Sequence, residues 1–245
     1  MKKNEQIGHS TDLPPSIGEL RTFTAYNLDI SLAAKVQELL NTHASAPNLI
    51  GRWQDQVILD EIPSGSSVLD LGCGAGDLLF QLIHKLKVRG QGVELDSQAV
   101  LKSIDRGVPV LNVNLDLGLV DFADQSFDYV ILEGTLPTLR SPLPILKEML
   151  RVGRRGIVSF PNFGHWRVRF DLTIRGRMPI TRGLPHGWHD TPNIHLFTLA
   201  DFTDWCAINE VNIKGAFGLT DSQVQPLAES DNLTVEEALL FLEKG

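Results

Sequence analysis

Val68-Leu69-Asp70-Leu71-Gly72-Cys73-Gly74-Ala75-Gly76-Asp77-Leu78-Leu79 decides the fold. A short apolar run carries an acid near its end, three glycines then alternate with other residues, and an apolar pattern resumes. That order reads as strand, tight turn and helix. Glycine has no Cβ and tolerates φ > 0, so such a turn lets a ligand lie against bare backbone. The helix start behind it offers free N–H groups to a carboxylate or phosphate. The stretch therefore predicts a nucleotide-like ligand at the first βα junction of an α/β sheet.

The flanking acids narrow the ligand. Asp77 stands where the third glycine of a dinucleotide fingerprint (G-x-G-x-x-G) would fall, so the NAD reading fits badly. Asp70, just before the loop, would repel a pyrophosphate and suits a cationic ligand. The next strand, Gly90-Gln91-Gly92-Val93-Glu94-Leu95-Asp96, carries Glu94 near its end. A carboxylate about 20 residues past the glycines can accept ribose hydroxyls. Together these residues fit an adenosine with a positive centre and no phosphate.

The same residues resemble the class I methyltransferases that use S-adenosylmethionine. By that resemblance Asp70, Gly72, Cys73, Gly74 and Gly76 line the methionine end of the pocket, Glu94 holds the ribose and Leu95 packs near the adenine. The family usually places an Asp after strand 3 against the adenine amino group. Here the stretch is Leu111-Asn112-Val113-Asn114-Leu115-Asp116, which puts Asn114 in that place, accepting through its amide oxygen, with Leu115 beside it and Asp116 as the competing candidate.

Composition bounds the rest. The chain has 245 residues, 42% of them apolar, which suits one domain with extensions. No apolar run reaches membrane-spanning length, and Met1-Lys2-Lys3-Asn4-Glu5-Gln6 lacks the apolar stretch of a signal peptide. The two cysteines, Cys73 and Cys206, make a structural disulfide an unfavoured reading, and a reducing cytoplasm is expected. A net charge of −8 argues against general nucleic-acid binding. Yet from Arg151 to Arg182 the chain carries eight arginines and one acid, Asp171. That stretch is either a solvated face or a dock for an anionic partner, since arginine binds carboxylate and phosphate groups bidentately.

Periodicity supplies the architecture. Residues 1–45 read as an N-terminal extension, partly disordered, with one amphipathic helix from Ile30 to Leu40. Residues 46–245 read as an α/β domain. A helix over Leu49–Ile62 precedes strands at Ser67–Leu71, Gly90–Leu95, Pro109–Val113, Ser126–Leu132, Gly156–Phe160 and Val211–Phe217. Helices alternate with them, among them Gly76–Leu86, a helix capped by Ser97 and closed by Gly107, Leu143–Arg151 and Leu199–Ile208. The alternation indicates a doubly wound, mostly parallel, Rossmann-like sheet with ligands at the carboxyl ends of its strands. The methyltransferase resemblance makes it seven-stranded, with Ala238-Leu239-Leu240-Phe241-Leu242 as an antiparallel seventh strand at the sheet edge. Residues 161–194 form a long connection whose aromatics argue for an ordered cap over the ligand, with a short helix around His165–Arg175.

Two longer segments sharpen the resemblance: Glu148 through Phe160-Pro161-Asn162-Phe163-Gly164-His165-Trp166-Arg167-Val168-Arg169, and Asp190-Thr191-Pro192-Asn193-Ile194-His195-Leu196. From about residue 49 to the C-terminus the chain is similar to the methionine biosynthesis protein MetW family. It departs from that family in its N-terminal extension, in Asn114, and in Glu133-Gly134-Thr135-Leu136-Pro137, where a Gln-containing turn is more usual. The resemblance implies S-adenosylmethionine as cofactor and a MetX-type homoserine O-acyltransferase as partner. An alternative is active methyl transfer to a small-molecule acceptor. For that chemistry the candidates are Glu133, ending strand 4, and His165 and His195, flanking the cap; a proton acceptor is needed only if the methyl acceptor must lose a proton. His186-x-x-His189-Asp190 has metal-ligand spacing, but its Gly/Trp-containing loop offers no rigid frame, and no metal is assigned.

Overall fold

Alternation of apolar runs with turn signals builds one sheet covered by helices. The computed structural model describes residues 52–245. In chain order, α1 (Trp53–Glu61) leads to β1 (Ser67–Leu71), α2 (Asp77–Leu86), β2 (Arg89–Glu94), α3 (Ser97–Asp105) and β3 (Val110–Asn112). Next come β4 (Phe127–Glu133), α4 (Pro142–Val152) and β5 (Gly153–Pro161). The long connection contains α5 (Trp166–Phe170), and α6 (Leu199–Ile208), β6 (Val211–Thr220), β7 (Gln223–Pro226) and β8 (Glu237–Lys244) complete the order. The readings of an irregular N-terminus and of a helix at 30–40 lie outside the described residues.

The strand order is β3-β2-β1-β4-β5-β8-β6-β7. β1 to β5 pair in parallel, while β8 pairs antiparallel with both β5 and β6. The expected doubly wound, mostly parallel sheet is present. Its central strands are apolar on both faces, as crossover helices on each side require. Leu69, Leu71, Val130, Leu132 and Val158 pack against α4 and α6. Their alternates Val68, Ile131 and Ile157 pack against α1 and α2.

Two details of the sheet differ from the sequence reading. The apolar run at 238–242 is not at the edge but between β5 and β6, with Ala238, Leu239, Leu240 and Leu242 at most 1% exposed. The edge belongs instead to an eighth strand, β7, whose residues are all exposed. Its sequence Gln-Val-Gln-Pro carries one apolar side chain and so gives no hydrophobic period. The available signal was the two-residue loop Asp221-Ser222, both at positive φ (47° and 66°), as a tight hairpin turn demands. A third detail concerns α3. Its cap is Asp96, whose carboxylate accepts from the Gln98 N–H at 2.8 Å, and not Ser97, which is the first helical residue.

Residues 161–194 are ordered along their length by backbone bonds. Ile194 N and His195 N both donate to Pro137 O, at 2.9 and 3.0 Å, which ties the segment to the loop after β4. Asn162, 1% exposed, holds its start. Its Oδ1 accepts from Gly164 N and Leu199 N, each at 2.9 Å, and its Nδ2 donates to Asn232 O and Val235 O. Both donors and both lone pairs of the amide are thus used. No described helix is long and apolar enough to cross a membrane.

The interior place of β8 has a measurable consequence. Leu239→Ala should cost about 2–5 kcal/mol, the range for a buried leucine, whereas Val224→Ala on the edge strand should cost less than about 1 kcal/mol. Urea unfolding of both variants checks this, and equal losses would contradict the strand order.

Candidate cofactor-binding and active site

The carboxyl ends of β1, β2, β3 and β4 meet on one side of the sheet. Leaving β1, the chain turns sharply because Gly72 adopts φ +79°. Gly72 N and Cys73 N both donate to Val93 O, at 2.7 and 3.1 Å, so the turn is fastened to the end of β2. A Cβ on Gly72 would run into the Thr135 side chain, so glycine is required there by space as well as by φ. Gly76 packs on Ser103 and Val108 in the same way.

Glu94 completes the fastening. Its Oε2 accepts from Gly74 N at 2.9 Å, and its Oε1 accepts from Leu95 N and Asp96 N at 2.7 and 2.8 Å. A carboxylate offers about four acceptor positions. Three are occupied, so a sugar diol would meet one open position, on Oε2, rather than a wholly free carboxylate.

A cavity of about 500 Å³ opens here, within the usual size of small-molecule sites. Gly72, Glu94, Leu95, Asn114, Leu115 and Asp116 line it, with Asp96, Thr135, Thr138 and Leu139. Asn114 differs from the sequence reading in its polarity. Its Oδ1 accepts from Asp116 N at 3.0 Å, capping the turn at Leu115–Leu117, so the amide presents its N–H groups rather than its oxygen. Asp116 is a brace as well as a lining residue, since its Oδ1 accepts from Arg140 N and Ser141 N at the approach to α4. Cys73 contributes only backbone. Its side chain is buried beside Gly92, and burial pushes the thiol up to about 12. The sequence reading did not find Thr135, Thr138 and Leu139. The available signal was topological, because the loop after β4 must face the loop after β1 when those strands are neighbours.

A second cavity, of about 390 Å³, lies beyond Gly134 under the cap. Arg52, Glu133, Ser159, Arg182, His186 and Asn193 are among its lining residues. The Glu133 side chain is 6% exposed, with Oε2 3.4 Å from Arg52 Nη2. Arg52 Nε is also 3.4 Å from Asp55 Oδ1. Burial pushes the Glu133 carboxyl up to about 8; Arg52 opposes the shift, and Asp55 and Asp70 add to it. Asp70, 4% exposed, is lifted to about 7, again by burial against the opposing Arg52 charge. Asp55 is raised for the same leading reason. Neither Arg52 nor Asp55 was foreseen, because their pairing with Glu133 spans about 80 residues of sequence.

The two candidate histidines do not join Glu133. His165 is 4% exposed beside the Asn162 hub, lines neither of these cavities, and is held down at about 4 by burial and by Arg167. A neutral imidazole of that kind is a poor proton acceptor at neutral pH. His195 also lines neither cavity; its Nε2 is buried without a hydrogen-bond partner. His186 Nδ1 and Asp190 Oδ2 are 3.8 Å apart, and no group of three metal-binding side chains is assembled among the described residues.

Comparison with known proteins agrees with this geometry. A family model described as methionine biosynthesis protein MetW matches residues 52–242. A bifunctional methionine biosynthesis protein MetXA/MetW of Rhodopirellula baltica is 40% identical over 173 residues, which is 66% of this chain and 28% of that relative's length. Among solved structures, a SAM-dependent methyltransferase of Thermotoga maritima aligns with a TM-score of 0.57 at 18% identity, covering 78% of this chain and 88% of that one. A TehB-like SAM-dependent methyltransferase of Corynebacterium glutamicum aligns with a TM-score of 0.54 at 17% identity, covering 89% and 100%. At these identities the structural likeness is one of fold.

The raised Glu133 carboxyl links folding to pH. The folded protein holds this proton more tightly than the unfolded chain, so the associated stability is full below about pH 4.5 and is lost as pH rises through about 8. Glu133→Gln keeps a neutral group in place and should flatten that decline. At about pH 8 the variant is expected to be the more stable protein, by on the order of 2 kcal/mol. Thermal unfolding across this range checks it; parallel curves for the two proteins would contradict the assignment.

Proposed function

The chain belongs to the methionine biosynthesis protein MetW family, and from that premise we propose that it binds S-adenosylmethionine at the end of β1 and supports a MetX-type homoserine O-acyltransferase in the cytoplasm. The observation that carries the cofactor reading is the charge of the cavity. Its lining includes Glu94, Asp96 and Asp116 and no lysine or arginine, with Asp70 buried behind the turn. A pyrophosphate would meet repulsion there, whereas a nucleoside bearing a cation would be attracted. Asn114 N–H groups and Leu95 supply a polar and an apolar contact for a base, and Oε2 of Glu94 an acceptor for a sugar hydroxyl.

When bound, this cofactor would supply a methyl group on a positively charged sulfur. The protein's part is to orient it against the glycine turn and Glu94. A second reading, methyl transfer to a small acceptor, is favoured by the 390 Å³ cavity on which Glu133 borders. Most of the acceleration in such a step comes from holding two reactants in line.

Support for the partner reading comes from the bifunctional MetXA/MetW relative of Rhodopirellula baltica. The cap carries exposed apolar and basic side chains that are our candidate contact surface. Leu172, Ile174, Met178, Ile180 and Trp188 are exposed, and Arg175 and Arg177 line a depression of about 640 Å³ beside Trp188. Arg167 is partly engaged, stacked 5.3 Å from the Trp166 ring, which leaves Arg169 and Arg177 as the freer charges.

Calorimetric titration with S-adenosylmethionine should give saturable binding, weakened at least about tenfold in Glu94→Ala, which removes both an acceptor for the ligand and the carboxylate that fastens Gly74. No binding to the unaltered protein would overturn the cofactor reading. Separately, Arg169→Glu with Arg177→Glu should reduce co-purification with the acyltransferase about fivefold or more; unchanged recovery would move the dock elsewhere.

A further inference from the structure

The charged residues of the second cavity divide into those already matched and those still open. Glu133 is matched by Arg52, with Oε2 3.4 Å from Nη2, and Arg52 is shared with Asp55. His186 Nδ1 lies 3.8 Å from Asp190 Oδ2. Two lining residues of opposite sign stand apart from these pairs. Arg182 makes no ion pair, side-chain hydrogen bond or ring contact among the described residues, and Glu236 acts on it only from beyond ion-pair distance. Glu237, the first residue of β8, is half-buried. Its Oε2 accepts from Trp53 Nε1 at 2.9 Å and from Gln54 Nε2 at 2.6 Å. Both donors are neutral, and no cation among the described residues lies within ion-pair distance of this carboxylate. Gly183, next in sequence to Arg182, packs against it so closely that a Cβ there would sit 2.9 Å from Glu237 Cγ. An unopposed guanidinium and an unopposed carboxylate are thus brought to one cavity wall by adjoining backbone without pairing with each other.

We propose that this cavity, of about 390 Å³, is a binding site for a small zwitterion of the α-amino-acid class, its carboxylate taken by Arg182 and its ammonium group by Glu237 Oε1. The proposal deepens, and rests on, the reading of the second cavity as a site for a small molecule. A guanidinium binds a carboxylate through two parallel N–H···O bonds. Glu237 Oε1 is the oxygen that Trp53 and Gln54 leave open, and it can accept from an ammonium group. The formal charges of Arg52, Arg182, Glu133 and Glu237 cancel, so a ligand of zero net charge suits the wall as a whole. A simple anion would leave the Glu237 charge facing its own sign, and a simple cation would do the same to Arg182; each loses one of the two compensating contacts. Pro161, Pro185 and Pro192 lie on the same wall and supply apolar contact for a side chain.

The test is calorimetric titration of the full chain with L-norleucine, with L-norleucinamide, which keeps only the positive charge, and with N-acetyl-L-norleucine, which keeps only the negative one. L-norleucine should bind saturably and at least about tenfold more tightly than either singly charged relative, the contribution of one charge-assisted hydrogen bond. Arg182→Gln should weaken L-norleucine about tenfold and bring it level with the amide. Glu237→Gln should bring it level with the N-acetyl compound. Arg182 is exposed, so its replacement leaves the fold intact and keeps the test decisive even where Glu237→Gln loosens α1. L-norleucine should still bind when S-adenosylhomocysteine is saturating. Mutual exclusion of the two would assign the cavity to the amino-acid tail of the cofactor, overturning a separate site and leaving the cofactor reading standing. Binding of L-norleucine without any binding of S-adenosylhomocysteine would uphold the zwitterion site and overturn the cofactor reading. Equal affinity for the three compounds, a preference for either charged relative, or no binding of L-norleucine would overturn the zwitterion site.

Discussion

Two adjacent acceptors at the end of β2, the Val93 carbonyl and the Glu94 carboxylate, hold the glycine turn in place. Between them they take the N–H groups of Gly72, Cys73 and Gly74. Every one of those donors would otherwise be an unsatisfied group at a strand end, so the turn has one stable position. That position sets the floor of the cavity. It also fixes α2, whose first residue follows Gly76 at once, and it brings Thr135 against Gly72 from the neighbouring loop. The site is consequently a property of the sheet ends, and its walls come from loops that the sheet order makes neighbours.

Elements with local signals were legible from sequence. β1 and α6 fall at the residues expected, because one is a short apolar run bounded by Ser-Gly and a glycine turn, and the other begins with a Thr198/Asp201 capping box. β7 was not legible, since an exposed edge strand has no face to bury. β8 was identified as a strand, but its interior place depends on which strands flank it, and a continuous apolar run says only that both faces are covered. The same limit applies to the site. Gly72, Glu94, Asn114 and Asp116 could be located by their distance from the turn, yet the hydrogen bonds that occupy Glu94 and Asn114 could not. The contacts Arg52–Glu133 and Arg52–Asp55 arise from packing α1 against strand ends, and no spacing rule connects them. His165 drew notice because it stands in a distinctive motif; the hydrogen-bonded centre of that motif is Asn162, which ties β5, the cap and α6 together.

The neighbours in fold and the family membership answer different questions. Likeness at 17–18% identity assigns the sheet and its helices, and one such architecture hosts many chemistries. The charge of the site is set by this chain's own residues. The walls of the cavity at the end of β1 carry acids and no lysine or arginine, and behind it Asp55 and Glu133 both lie 3.4 Å from the Arg52 guanidinium.

The thiol in the glycine turn carries one more consequence. A cysteine within reach of an alkylating sulfonium would be an obvious victim, since thiolates are strong nucleophiles toward methyl donors. Cys73 avoids this by turning its sulfur into the core beside Gly92, where burial and the nearby Asp70 and Glu94 charges keep it protonated. A residue at the centre of the loop is thereby made inert toward electrophiles that reach the cavity.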